Sequence, residues 1–249
     1  MKVTIATYNI HRAIGTDRRF RPDRIVEVLA DHDPDIVLLQ EVDDGATRSR
    51  ELDLAREIAA SLNYPFYVVG HNVSLRKGRY GNATLSKYKI IRERNIDLTV
   101  GSRKRRGCQH SSLEIRRPGG PSYCFEVFNL HLGLSSRERR QQMGLLTCSH
   151  EFTAVGRDTA CLVGGDFNDW RSVLRPFFVE ELHFRCATDR ESRRGVHGIK
   201  TYPAFAPQGA LDRLYFRGRV RKIATSACRH RVAKIASDHL PVFAEFELY

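Results

Sequence analysis

The sequence predicts an α/β fold with mixed strands, organised as one domain over residues 1–249. Three observations predict it. Strand-like and helix-like segments alternate in the first quarter of the chain and again past residue 135. The middle is a run of short strands broken by turns, the pattern of antiparallel pairing. The hydrophobic content of 41% over 249 residues is enough for one substantial core. No internal repeat, low-complexity segment or linker interrupts it.

Residues 3–9 alternate as a strand. Residues 22–31 read as a helix, because Pro22 suits a first turn and Ile25, Val28 and Leu29 share one face. Residues 35–42 hold the nearly continuous apolar run IVLLQEV, as in a strand buried on both faces. Residues 51–62 are helical, with Leu54, Ile58 and Leu62 at spacing four. Between Pro65 and Leu130 lie PFYVVG, NATLSKY, IRERNIDLTV, CQHSSLEIR and the bulk of SYCFEVFNLHLG, all strand-like. Residues 136–155 return to helix, with Ser135 or Ser136 as N-cap and Gly156 as the stop. Residues 159–165 form a buried strand, and ALDRLYFRG, VRKIATSA and PVFAEFELY supply the last strands.

The charge is strongly positive. There are 41 Lys and Arg against 29 Asp and Glu, a net +12, and arginine dominates. Guanidinium groups fork onto phosphate, so such a surface favours nucleic acid, anionic lipid headgroups or phosphorylated metabolites. Basic clusters at 76–79, 103–106, 190–194, 217–222 and 229–231 fall between predicted elements and read as loops. The six cysteines contain no C-x-x-C pair and read as small core residues of a reducing compartment. The opening MKVTIATYNI has no leader-like apolar segment, and no apolar run reaches a membrane span, so the expectation is a cytoplasmic protein.

Polar residues end the apolar runs at six places. Asn9 ends TYN, Glu41 ends VLLQE and His131 ends VFNLH. Asp166 and Asn168 follow ACLVGG, Asp212 interrupts ALDRLYF, and Asp238 with His239 precedes the last strand. A buried carboxylate or amide without a partner is costly, so strand tips that carry one usually feed a site. Singly, each has a plainer explanation: a turn, a cap or a satisfied core histidine. Together they form an oxygen-rich set suited to Mg²⁺, Mn²⁺ or Ca²⁺ and not to zinc. No H-E-x-x-H, P-loop or Rossmann string occurs, which removes support for metalloprotease and nucleotide-fold readings.

The order Asn9, Gln40-Glu41, Asn82, His131, Asp166-Phe167-Asn168, Asp212, Asp238-His239 resembles the endonuclease/exonuclease/phosphatase superfamily, over nearly the whole chain. The resemblance implies a four-layer αββα sandwich of the DNase I-like kind, with two packed mixed sheets, flanking helices and a site at the sheet edges. It also implies roles. Glu41 would be the principal ligand of Mg²⁺ (or Mn²⁺), with Asn9 and Asp238 near the same ion or its waters. Asp166 would orient or deprotonate the attacking water, and Asn168 would fix it and touch phosphate. His239 would contact phosphate while Asp212 holds its imidazole. His131 would donate to a non-bridging oxygen with Asn82 in support. Either Asp166 or His239 can be the base. His11 faces substrate or only its own loop, and Trp170 reads as a packing residue.

The implied activity is metal-dependent hydrolysis of phosphoesters by in-line attack of water. The expected substrate is nucleic acid, cut internally, from an end or during DNA-end processing, by a monomer. A lysine after the metal glutamate, usual in abasic-site endonucleases, is replaced by Val42-Asp43, and the inositol phosphatase string P-A-W-C-D-R is absent. YNIHRAIGTD and QEVD resemble small bacterial members and those allied to sphingomyelinases. A phospholipid or small-molecule phosphodiesterase, with peripheral contact to anionic lipid, is therefore the alternative. An inactive phosphate-binding scaffold is the reading from outside the enzymes.

Overall fold

The computed structural model describes residues 1–116, 119–120, 122–192 and 195–249. Arg193 and Arg194, the end of one basic cluster, lie outside the described residues.

Strand β1 (Lys2–Asn9) leads to helix α1 (Pro22–Ala30) and β2 (Ile36–Asp44). Helix α2 (Leu54–Ser61) precedes a meander of β3 (Phe66–Ser74), β4 (Arg79–Ser86), β5 (Lys89–Asp97), β6 (Gly107–Arg116) and β7 (Ser122–His131). Helices α3 (Ser136–Thr147) and α4 (His150–Thr153) carry the chain to β8 (Ala160–Asp166). The remainder is β9 (Arg185–Cys186), the hairpin β10 (Asp189–Ser192) and β11 (Gly195–Gly198), β12 (Asp212–Arg217), β13 (Val220–Ala227), α5 (Ala233–Ala236) and β14 (Val242–Leu248).

Two six-stranded sheets result, ordered β13-β14-β1-β2-β4-β3 and β5-β6-β7-β8-β12-β9. Each has one parallel pair at its centre, β1 with β2 and β7 with β8. Each parallel pair is joined through helices, α1 in the first sheet and α3 with α4 in the second, because parallel strands need a crossover. The sheets pack face to face through Ile5, Leu38, Phe125, Leu162, Leu214 and Phe246. Outside the first sheet, Ile25, Leu29, Leu54 and Ile58 of α1 and α2 cover Tyr8, Val37 and Leu39. Outside the second, Met143, Leu146 and Phe152 of α3 and α4 cover Phe128, Leu130 and Val163. The four-layer αββα sandwich is the observed architecture.

Near the site the interface between the sheets changes from apolar to polar. Asn129 of β7 donates through its amide to the carbonyls of Leu39 (3.1 Å) and Ala83 (2.9 Å) in the opposite sheet. Gln40 Nε2 donates back to Asn129 Oδ1 at 2.8 Å. Asn82 of β4 reaches the other way, donating to Gly107 O (3.0 Å) and Asn129 O (3.1 Å). These amides are buried, so their partners are required rather than decorative.

Several boundaries differ from the sequence expectation. The helix expected over 136–155 is two helices. Ser149 takes an extended conformation and its hydroxyl caps α4 by accepting from Phe152 N, so the first helix ends at Thr147, nine residues before Gly156. The helix expected from residue 51 starts at Leu54, because the Asp53 side chain accepts from Arg56 N while Arg50 and Glu51 hold left-handed backbone. Three basic clusters are not wholly loops: Arg79 begins β4, Arg217 ends β12 while Arg221 and Lys222 lie in β13, and Arg190 lies in β10. Cys108, Cys161 and Cys228 are buried, but Cys124 and Cys148 are exposed, so the core reading holds for only some of the free cysteines. Among the described residues, no helix is long and apolar enough to cross a membrane.

Candidate active site

The register of the second sheet builds half of the site. β7 runs parallel to β8 with His131 opposite Asp166, and β12 runs antiparallel with Asp212 opposite the same Asp166. One row across three strand tips therefore carries His131, Asp166 and Asp212. Gly165 makes this possible: it holds φ +136°, and a Cβ there would lie 1.9 Å from Leu130 O.

His239 is inserted beside this row. Its Nδ1 lies 2.9 Å from Asp212 Oδ2 and its Nε2 lies 3.7 Å from Asp166 Oδ2. Asp212 also accepts from the Thr201 hydroxyl. Ser237 Oγ, which donates to Asn9 O at 2.7 Å and accepts from His239 N at 3.2 Å, ties this segment to β1. Asp166 accepts from Asn168 N (2.9 Å) and from Asn9 Nδ2 (3.1 Å), and His131 Nε2 is 3.4 Å away.

The electrostatics divide the two histidines. Burial opposes charge on His239, but the Asp212 and Asp166 carboxylates outweigh it and raise its pKa to about 10. Burial, reinforced by Arg106, His239 and Lys104, pushes His131 well below the ordinary imidazole value. Burial also raises the Asp166 carboxyl above the usual range, against the pull of His239. The site thus holds a charged histidine, a neutral histidine and a poised carboxylate.

The first sheet supplies the other half. Asn9 ends β1 beside Gln40 of β2. Glu41 follows at a bulge in the β2–β4 pairing, with φ +56°. Bulges re-aim side chains, and here Glu41 turns into a cavity of about 270 Å³ that it shares with Asn9, Asp238, His239, Asp166, Asn168 and His131.

Two sets of residues could take a cation. Asp166, Asp212 and His239 have ligand atoms within 4.8 Å of one another. Their closeness is better explained by the charged imidazole between two carboxylates, since His239 carries a proton and Asp212 Oδ2 already accepts two hydrogen bonds. Glu41, Asp238 and Asn9 are hard oxygen donors lining the same cavity and fit a Mg²⁺-type ion better.

Not every expected residue converges. His11 turns its Nδ1 to Ile14 O at 3.0 Å and does not line the cavity. Asn82 commits its amide nitrogen to backbone carbonyls and meets Glu41 and His131 only in a narrow side cleft. Asn168 donates to Leu132 O at 2.9 Å from a left-handed backbone (φ +50°). Trp170 does pack, edge-on against Tyr202, but stays 54% exposed, and both residues line the cavity. Sequence reasoning missed Lys104, Arg106 and Tyr202 as lining residues and Thr201 as the partner of Asp212. The first two lay in plain view inside the 103–106 cluster. A larger groove of about 410 Å³ beside α3, lined by Met143, Leu174 and Phe177, lacks a comparable cluster of converging titratable groups.

Known proteins resemble this chain in sequence or in fold. YbhP of Escherichia coli strain K12, an uncharacterised protein, is 29% identical over 98% of this chain and 96% of its own length. The mannosyl-6-phosphatase Bt3783 of Bacteroides thetaiotaomicron superposes with a TM-score of 0.76 at 19% identity, covering 99% of this chain and all of its own. The human Nocturnin catalytic domain with bound sulfate gives 0.76 at 21% identity, over 100% and 94%. The model of the Endonuclease/Exonuclease/phosphatase family matches residues 6–239, a span that takes in the strand tips from Asn9 to His239, and the chain belongs to that family of phosphoester hydrolases.

Proposed function

We propose that the protein is a divalent-metal-dependent phosphodiesterase acting on nucleic acid, in one domain over residues 1–249. The observation that carries the reaction type is the row His131–Asp166–Asp212 with charged His239 inserted beside it, facing Glu41 across a cavity.

Glu41, Asp238 and Asn9 would hold Mg²⁺, with Mn²⁺ able to replace it, and the ion would polarise the phosphoryl oxygens and stabilise the leaving group. Asp166 is the base. His239 has a proton to give rather than take below about pH 10, whereas the raised Asp166 carboxyl is an acceptor near neutrality. Asn168 N and Asn9 Nδ2 fix that carboxylate in place. His239 presents its Nε2–H to a phosphate oxygen, with Asp212 fixing the ring through Nδ1. Neutral His131 offers one further hydrogen bond. Fixed charges of this kind provide most of the acceleration in phosphoryl transfer.

The nucleic-acid reading rests on the cavity mouth. Lys104 and Arg106 line it beside half-exposed Trp170. Cations that track phosphates and an aromatic face that accepts any base are what a single strand or frayed end needs. The lipid reading is favoured by one observation, the exposure of Leu134, which lines the cavity, at 76%, with Phe205, three residues after the lining Tyr202, at 69%. The test is turnover with Mg²⁺, Mn²⁺ or EDTA on plasmid, single-stranded DNA, phosphatidylglycerol or sphingomyelin vesicles, and bis-p-nitrophenyl phosphate. Metal-dependent cleavage of DNA that falls steeply with salt supports the proposal. Turnover confined to vesicles replaces the substrate and keeps the mechanism. No metal-dependent turnover of any member overturns it.

A further inference from the structure

Three successive residues after β1, namely His11, Arg12 and Ala13, hold φ of 44°, 60° and 57°. None is glycine, and left-handed backbone is costly for each. Surrounding hydrogen bonds over-determine the turn. Ala13 N donates to Ile10 O at 2.8 Å, Ile14 N to His11 O at 3.0 Å, and Arg21 N to Ala13 O at 2.9 Å. His11 N donates to Asn9 Oδ1 at 3.0 Å.

One result of this strained path is an ion pair: Arg12 Nε stands 3.4 Å from Glu41 Oε2. Glu41 reaches the same place from its own left-handed bulge position. Arg12 Nε is buried and has no hydrogen-bond partner among the described residues, so the two side chains meet as charges and not as a hydrogen-bonded fork. The nearby Arg48 does not compete for Glu41, because it is held by Asp43 through two bonds of 2.8 Å.

We propose that Arg12 is a resident counter-cation of Glu41 that competes with the divalent ion and sets how much ion the site requires. This rests on the reading of Glu41 as an ion ligand. Glu41, Asp238 and Arg12 together leave the corner with one net negative charge, which a divalent ion turns positive. The ion thus adds to the field that Lys104, Arg106 and charged His239 already present to an anionic phosphate.

The test measures Mn²⁺ binding without substrate, from the electron paramagnetic resonance signal of free Mn²⁺. Arg12→Gln should bind Mn²⁺ about tenfold more tightly than the wild type, the scale expected from removing a unit charge at this separation. Arg12→Gly removes the same charge and relaxes the strained backbone, so it should tighten binding as well, which guards against a folding defect in the first variant. Affinity unchanged or weakened in both variants overturns the proposal and leaves the ion site standing. No saturable binding to any of the proteins, or binding no weaker in Glu41→Gln than in the wild type, overturns both this proposal and the assignment of Glu41.

Discussion

The two halves of the site are built differently. The half on the second sheet is a regular row: His131 and Asp212 flank Asp166 in register, all three are nearly fully buried, and Asp212 is hydrogen-bonded to His239 at 2.9 Å. The half on the first sheet is irregular: Glu41 sits at a bulge, Arg12 in a strained turn, and both are partly open to solvent. Regular ladders place groups rigidly, which suits proton handling, where small displacements are costly in rate. Bulges and left-handed turns leave a side chain that can exchange one partner for another, which suits an ion that comes and goes. The difference teaches that position within the ladder, and not residue type, separates two carboxylates with different tasks.

Breaking the regular half should have the largest effect. Asp166→Ala should lower kcat/KM by about 10²–10⁴-fold while Mn²⁺ binding stays near wild type. Loss of ion binding in that variant would show that the halves are not separable. Glu41→Gln should act on the other half: the ion concentration for half-maximal rate should rise about 10–100-fold, with activity partly restored at high ion. A fixed requirement with a uniformly lower rate would assign Glu41 to the chemistry instead.

A pH profile sharpens the same contrast. With Asp166 as the proposed base, the rate should fall on acidification, and at a higher pH than an ordinary carboxylate would give, because burial raises this one. With charged His239 as the proposed phosphate donor, it should also fall as pH rises through about 10. In Asp212→Asn the alkaline fall should begin at lower pH, since a carboxylate that raises the imidazole is gone; an unmoved limb would detach Asp212 from the histidine. The mildest effect on rate is expected between the halves. Asn129→Ala should destabilise the fold by about 1–3 kcal/mol in denaturant unfolding, because it strips partners from buried groups including Gln40.

What the sequence discloses follows the same division. Glu41, Asp166, Asn168 and His239 were legible because each breaks or ends an apolar run, and the cost of burying polar atoms makes such breaks informative. The αββα layers were legible from the strand run between two helical crossovers, once the resemblance supplied the second sheet. Arg12, Thr201 and Tyr202 were not, because they come from irregular segments whose approach depends on tertiary packing. Thr201 reaches Asp212 across a loop closed by pairing of Tyr202 with Gly209, and no local pattern announces that. The break at Ser149 was available in principle: a serine three residues before Phe152 is a cap signal inside a segment read only for its helical period.

The polar seam between the sheets has a consequence for assembly. A purely apolar face tolerates sliding, since one aliphatic contact replaces another at little cost. Asn129, Asn82 and Gln40 do not: a shift of one residue, about 3.3 Å, would unmake their reciprocal bonds together. The two sheets therefore dock in one alignment or remain apart, with no stable halfway setting. A ligand-free protein should thus already hold the row His131, Asp166 and Asp212 and the bulge carrying Glu41 at a fixed separation, and scaffold engineering that transplants new loops onto this frame must keep those three amides.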